Sequence, residues 1–421
     1  MKLLLAALIA GSSVFASSSQ RPLTLDTDLS FQSTIGEVYN SGSAPSYRAS
    51  LVALHKALVS IPSVTGNENE VGTYLVDYLT ERGLHAQLQF IPPSNTTSDA
   101  STDEKPRFNV LAWPGKTRNP SPKVLVSSHI DTVPPFIPYS ASDDPPNADT
   151  VIAGRGSVDA KASVAAQVTA LLDLLLDKSV SDDVKDVMLL YVVGEETNGA
   201  GMRYFSETWG LLEPPPTFKA GIFGEPTEGK LACGHKGHLA CTIKATGRAG
   251  HSGYPWLGKS ATEVLMRALI KVLDTDLGSS ERFGNTTVNV GRIEGGVASN
   301  VIAEKAEARL TIRVAIAPQD KGANVIEERI SDVLKSVDED LEMDCGNGYG
   351  AVICDCEVDG FKNITVNYGT DVPNLKGDHT RYLYGPGTIF VAHGPDEALK
   401  LSDLEAAVEG YKKLILHALQ S

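Results

Sequence analysis

The chain has 421 residues, 42% hydrophobic, 21% charged and 6% aromatic, enough for two or three domains that each bury a core. Lys and Arg number 37 against 52 Asp and Glu, a formal charge of −15. With no basic cluster, this composition excludes a nucleic-acid binder. Beyond the N-terminus no apolar run approaches the roughly 18 residues that span a bilayer.

Lys2, the apolar run Leu3 to Ala10 and the small residues up to Ala16 form the pattern of a secretory signal peptide cleaved after Ala16. The expectation is a secreted, extracellular chain with no membrane attachment after cleavage. Asn-x-Thr triplets at Asn95, Asn285 and Asn363 fit glycosylation in that setting. Residues 17–45 are rich in Ser, Gly and Thr without periodicity and read as a flexible leader.

Helical spacing begins near Ser46, with Leu51, Leu54, Leu58 and Val59 on one face. Asn67 and Glu70 resemble a capping box for a second helix ending at Gly83. Leu84, Ala86, Leu88 and Phe90 alternate as a strand, and Phe108–Trp113 follows a polar loop. Apolar strands are expected at Lys123–Ser128, Asp186–Val193, Ala220–Phe223 and Thr388–Ala392, with an Ala/Leu-rich helix over Asp159–Lys178. Alternating strands and helices predict an α/β layered, mostly parallel sheet. Residues 236–345 differ: strand, helix, two strands, helix and a closing strand near 340–345 predict a ferredoxin-like α+β insertion. The expected catalytic domain is therefore split, 46–235 and 346–421.

All five cysteines lie beyond the leader, so at least one stays unpaired or bonds another chain. The favoured disulfide joins Cys345 to Cys354 or Cys356, with a Cys-x-Cys metal site as the alternative.

Four of the expected strands end in residues that bind metals. His129 and Asp131 follow the first, Glu195 and Glu196 the second, Glu225 the third and His393 the fourth. Open α/β sheets bind ligands at the carboxyl ends of their strands. Asp159 follows the Gly154-Arg-Gly turn and reads either as a fifth ligand or as an N-cap. Two histidines and three carboxylates suit Zn²⁺ with open positions. Crowded carboxylates need neutralising cations, which points to two ions bridged by one carboxylate. Glu195 and Glu196 are otherwise a solvated loop pair. In extended chain they point opposite ways, one toward metal and one toward an attacking water.

His129-Ile-Asp131, Gly154-Arg-Gly-Ser-Val-Asp159, Gly194-Glu-Glu-Thr, Gly224-Glu-Pro-Thr, Gly250-His-Ser-Gly and Ala392-His-Gly-Pro-Asp-Glu resemble the M20 family of zinc peptidases and deacylases. With the leader, the resemblance is to that family's secreted fungal carboxypeptidases. It implies a zinc-exopeptidase fold with an inserted lid and dimerisation domain, through which a homodimer would form. It also implies two Zn²⁺ per subunit: Asp159 bridging, His129 and Glu225 on one ion, Glu196 and His393 on the other. Glu195 would be the general base and Asp131 would orient His129. His251 would meet the developing oxyanion, often from a partner subunit, and Asn300 and Arg313 would grip a substrate carboxylate. Read alone, His251 is a turn residue, Asn300 a turn cap and Arg313 a solvated strand residue. The implied activity is carboxypeptidase; an N-acyl amino acid deacylase is the alternative, and a non-catalytic metal-binding relative the third.

Overall fold

The computed structural model describes residues 44–92, 105–116, 121–211 and 217–421. The expected signal peptide, almost all of the leader and the Asn95 triplet lie outside the described residues.

The sheet that carries the site runs, in spatial order, Leu84–Ile91, Arg107–Pro114, Val187–Val192, Val124–His129, Ala220–Gly224, Thr380–Tyr384, Leu231–His235 and Val352–Ile353, with Asn363–Val366 also paired to Leu231–His235. The four strands from Val187–Val192 to Thr380–Tyr384 are mutually parallel. The strands flanking them are antiparallel, so the sheet is mixed with a parallel centre. Central strands are buried along their whole length, which is why they read as continuous Val/Leu runs.

Helices α1 (Arg48–Ser60), α2 (Asn69–Glu81), α3 (Lys161–Leu176), α4 (Ala200–Trp209), α5 (Ala261–Asp274), α6 (Gly322–Lys335) and α7 (Leu401–Gln420) complete the chain. One face of the sheet packs with the leucines of α1, α3 and α7. The other packs with Phe205 and Trp209 of α4, Trp113 and Phe218. Lys161, buried under α3, donates from Nζ to the carbonyls of Leu58 (2.8 Å) and Ile61 (2.9 Å). That places a cation on the unsatisfied carbonyls ending α1.

The expected capping box at Asn67 and Glu70 is not made: α2 starts after Glu68 with no side-chain cap. Glu68 is instead buried in a fork with Arg107 at 2.5 and 3.0 Å, a charge pair stronger than an end cap. The expected strand Thr388–Ala392 is also absent; apart from one bridge, Thr388 to Thr227, it is a turn. Gly-Pro-Gly before it and Gly-Pro after it interrupt any ladder. The strand preceding His393 is Thr380–Tyr384.

Residues 237–345 build a second, four-stranded antiparallel sheet, Thr287–Gly295, Lys305–Val314, Gly237–Thr246 and Glu342–Cys345, with its own core against α5 and α6. The chain passes between the two sheets near Lys236 and again over 346–351.

The disulfides differ from the expected pairing. Cys233 bonds Cys356 and Cys241 bonds Cys345, with Cys354 free and buried. Cys345 lies opposite Cys241 in the strand register, a partner set by sheet pairing and invisible in sequence spacing. With Cys356 bridged, no Cys-x-Cys metal site exists. The bridges span 123 and 104 residues, and closing a loop of about 100 residues stabilises by about 4.7 kcal/mol on the chain-entropy account. Joint replacement of Cys241 and Cys345 by Ser should lower the unfolding free energy of the second sheet by about 2–5 kcal/mol, measured by denaturant titration. A thiol reagent should find about one thiol per chain, and only after denaturation, because burial keeps Cys354 protonated with its pKa pushed up to about 12.

Candidate metal centre

Parallel strands share one carboxyl edge, and three of the ligand-bearing segments leave from it. His129 is the last residue of Val124–His129, buried with its ring pointing from the strand end. Glu225 directly follows Ala220–Gly224. After Val187–Val192 the chain turns at Gly194, whose φ of +78° suits glycine, and presents Glu195 and Glu196. Asp159 does not cap α3, whose first residue is Lys161 and whose N-cap, Ala160, makes no side-chain bond. Its carboxylate faces the histidines, so the N-cap reading fails.

The geometry converges on Asp159. Its Oδ1 is 3.1 Å from His129 Nε2 and its Oδ2 3.3 Å from His393 Nε2. His129 Nε2 is also 3.9 Å from Glu225 Oε1, and His393 Nε2 is 3.0 Å from Glu196 Oε2. One carboxylate thus addresses two histidines with different oxygens, each histidine having its own glutamate. Among the described residues, ligand atoms of His129, Asp159 and Glu196 lie within 4.8 Å of one another, as do those of His129, Glu195 and Glu225.

Asp131 acts differently from the expectation. His129 Nδ1 donates to the main-chain oxygen of Asp131 at 2.9 Å, while the carboxylate stands 3.6 Å away. The carbonyl orients the ring. The carboxylate accepts from Thr65 Oγ1 (2.7 Å) and the backbone N–H groups of Glu195 (3.2 Å) and Glu196 (3.3 Å). Asp131 therefore fixes the Glu195-Glu196 turn as well as His129.

Two unit charges 4 Å apart interact by about 4 kcal/mol at an effective dielectric near 20, so these acids cannot all be ionised without counter-charge. Burial pushes Glu195 and Glu225 well above the carboxylate range, reinforced for Glu195 by the charge of Glu225, and burial also raises Glu196. Hydrogen bonds to Asp159 and Glu196 push His393 up to about 10. At His129 burial opposes the charge, but Asp131 and Asp159 outweigh it and hold the imidazole well above its ordinary value. Asp159, raised by burial and lowered more by the two histidines, stays well below the carboxylate range. Protons thus stand where cations fit. Glu196 Oε1 is buried with no hydrogen-bond partner, an orphan that metal ligation satisfies.

A small cavity between the strand ends is lined by His129, Glu195, Glu225 and Asp371. Asp371 was not singled out from sequence. Its Oδ1 accepts from Asn374 Nδ2 (2.7 Å), its Oδ2 is buried and unpartnered, and burial pushes its pKa up to about 6. One acid in a long loop carries no sequence signal. A surface groove on the second domain, beside Ser252, Lys259 and Val301, holds none of the histidines and acids that meet at the sheet edge.

The structure leaves His251 and Asn300 apart from the ligands. Both are exposed on the second domain, side by side: Ser252 N donates to Asn300 O at 3.0 Å, and His251 Nδ1 accepts from Gly253 N. Arg313 is nearer. It has no ion-pair partner among the described residues, and its Nη1 is 3.6 Å from where a Cβ on Gly369 would stand, beside Tyr349 Oη. His235 bonds Thr370 Oγ1 at 3.0 Å and so anchors the same turn. Burial holds its pKa down to about 4. His379 is likewise lowered to about 4 by burial.

A mixed α/β sheet with acids and histidines meeting at its carboxyl edge, and an inserted α+β domain, defines a metal-dependent hydrolase. Comparison with known proteins gives the family. Residues 233–342 match the peptidase dimerisation domain model. A peptidase M20 domain-containing protein of Sordaria macrospora is 55% identical over 400 residues, covering 91% of this chain and 88% of its own length. A probable carboxypeptidase of Aspergillus fumigatus is 43% identical over 447 residues, 99% of this chain and 98% of its own. Three solved structures share the fold. A Staphylococcus aureus tripeptidase has TM-score 0.69 and 20% identity, covering 89% of this chain and 99% of its own. The M20 metallo-carboxypeptidase of Sulfolobus solfataricus has 0.66 and 17%, covering 88% and 99%. A dinuclear metal-binding M20 peptidase of Bacillus subtilis has 0.58 and 15%, covering 89% and 99%. The chain belongs to the peptidase M20 family and is a metallopeptidase.

Entry of a divalent ion at neutral pH must expel the protons held by this cluster. Calorimetric titration with Zn²⁺ in two buffers of different ionisation enthalpy should show release of roughly one proton or more per ion, with apparent affinity weakening on acidification. Uptake without proton release would contradict the arrangement of charges described.

Proposed function

We propose that the chain is a secreted carboxypeptidase that holds two zinc ions per subunit and hydrolyses the amide bond next to a free C-terminal carboxylate. The observation that carries this reading is Asp159, whose two oxygens face His129 and His393 separately. His129 and Glu225 would hold one ion, His393 and Glu196 the other, and Asp159 would bridge. Imidazole and carboxylate donors suit zinc. Bound there, the ions supply Lewis acidity that polarises a carbonyl and makes water acidic.

The remaining work belongs to side chains. Glu195 borders the cavity shared with His129 and Glu225. Its carboxylate takes a proton from the attacking water and returns it to the departing amine. Arg313, without an ion-pair partner beside the Gly369-Thr-Asp turn, offers a planar fork to the substrate carboxylate; Asn300, on the exposed loop beside His251, would reach that carboxylate from a partner subunit. His251, exposed on the second domain, would serve the oxyanion from a partner subunit. A homodimer is supported by the matched dimerisation domain and by Met266, Ile270 and Leu273, exposed on one face of α5. The Aspergillus fumigatus relative, a probable carboxypeptidase similar along almost the whole chain, supports the carboxypeptidase reading. Secretion is supported by the N-terminal pattern and by two disulfides, which persist in oxidising compartments. Asn285 and Asn363 are exposed, as glycan acceptors must be.

Glu195→Gln should keep its metal and lose activity by about 10²-fold or more, read as kcat on a peptide substrate beside metal content. Near-normal turnover would refute the assigned base. In a panel of peptides and N-acyl amino acids with free or blocked carboxyl ends, mass analysis should show loss of C-terminal residues only from free carboxylates. Release of acyl groups alone would mean a deacylase. Arg313→Ala should raise KM for free-carboxylate peptides more than it lowers kcat.

A further inference from the structure

We propose that Arg155 and Glu397 act as a buried positioning pair that sets the half of the metal centre formed by His393 and Asp159. The proposal rests on the dinuclear reading above. Neither residue is among the ligands, yet they are 2% and 1% exposed, where an ion pair is retained only if its remaining groups are satisfied. Arg155 Nη1 donates to Glu397 Oε2 at 2.7 Å.

What the pair holds is specific. Arg155 also donates to the carbonyls of His393 (3.3 Å, from Nη2), Gly394 (3.1 Å, from Nη1) and Pro135 (3.2 Å, from Nε). Glu397 Oε1 accepts from the backbone N–H groups of Val158 (3.0 Å) and Asp159 (3.1 Å). The main-chain oxygen of Glu397 accepts from Gly154 N and Ser157 Oγ, both at 3.1 Å. One pair therefore stitches the turn carrying the bridging carboxylate to the loop carrying its second histidine.

The two halves of the centre differ in how much they need such a device. His129 and Glu225 stand at the ends of buried parallel strands, where the ladder fixes them. His393 comes from a turn, its side chain is 54% exposed, and its φ is +63°, a left-handed conformation rare for a residue with a Cβ. The carbonyl that Arg155 grips is that of His393 itself.

The test uses the full chain as Arg155→Lys and Glu397→Gln. Zn²⁺ bound per chain is counted by native mass spectrometry in chelator-buffered zinc, with second-ion affinity from competition against a chromophoric chelator. Melting of the metal-free chains monitors the fold. Wild type should hold two ions. Both variants should keep the first ion but bind the second about 10–100-fold more weakly, and Arg155→Lys, which keeps the charge, should also keep the metal-free melting temperature. Arg155→Ala should regain the second ion when guanidinium is added. Variants that keep wild-type second-ion affinity or lose both ions equally, or an Arg155→Lys chain that melts far below wild type without metal, would overturn the proposal in favour of a purely structural pair. A wild-type chain that binds fewer than two ions would instead overturn the dinuclear reading, and the pair's role with it.

Discussion

The structure depends on one electrostatic constraint: several carboxylates are buried together at the carboxyl edge of a parallel sheet. In water their repulsion would be small, but in a site where His129, Asp159 and Glu225 are nearly inaccessible it is large. Free of metal, this confinement favours the protonated forms of Glu195 and Glu225 and the charged forms of both histidines. Cations relieve it without protons. Metal binding, proton release and the basicity of Glu195 are consequences of the same confinement.

That confinement needs a rigid frame, and the sheet supplies it. Parallel strands deliver His129, Glu225 and the Glu195-Glu196 turn to one edge because a shared direction gives a shared end. Asp131 ties two of these segments through backbone contacts that no ligand list includes. Asp159 and His393 come from loops, and their placement falls to buried polar contacts. The frame is rigid where the ladder runs and stitched where it does not.

Legibility in the sequence followed the same division. Strands buried on both faces announced themselves as apolar runs, and the acids and histidines directly after them were found by position. The second domain's strand–helix–strand–strand–helix–strand order was equally readable, because each element is amphipathic over its own core. Thr388–Ala392 misled, since Thr-Ile-Phe-Val-Ala has the composition of a strand but flanking Gly and Pro make it a turn. The capping box at Asn67 failed because α2 begins one residue later, with Glu68 at its N-cap and that side chain held by Arg107. Asp371, Thr370 and Tyr349 went unrecognised as neighbours of the centre for the same reason: isolated residues in loops have no period.

The sequence by itself determined the fold class, the acids and histidines at the strand ends and the family, because each is written in local patterns: buried runs, the residues after them, and motif spacing. Tertiary structure decided which acids meet, that Asp159 faces two histidines instead of capping a helix, that the carbonyl of Asp131 orients His129, and which cysteines pair. Those outcomes are contacts between segments up to 240 residues apart. Local chemistry constrains what such segments can offer, and only the folded chain fixes which of the offers are taken.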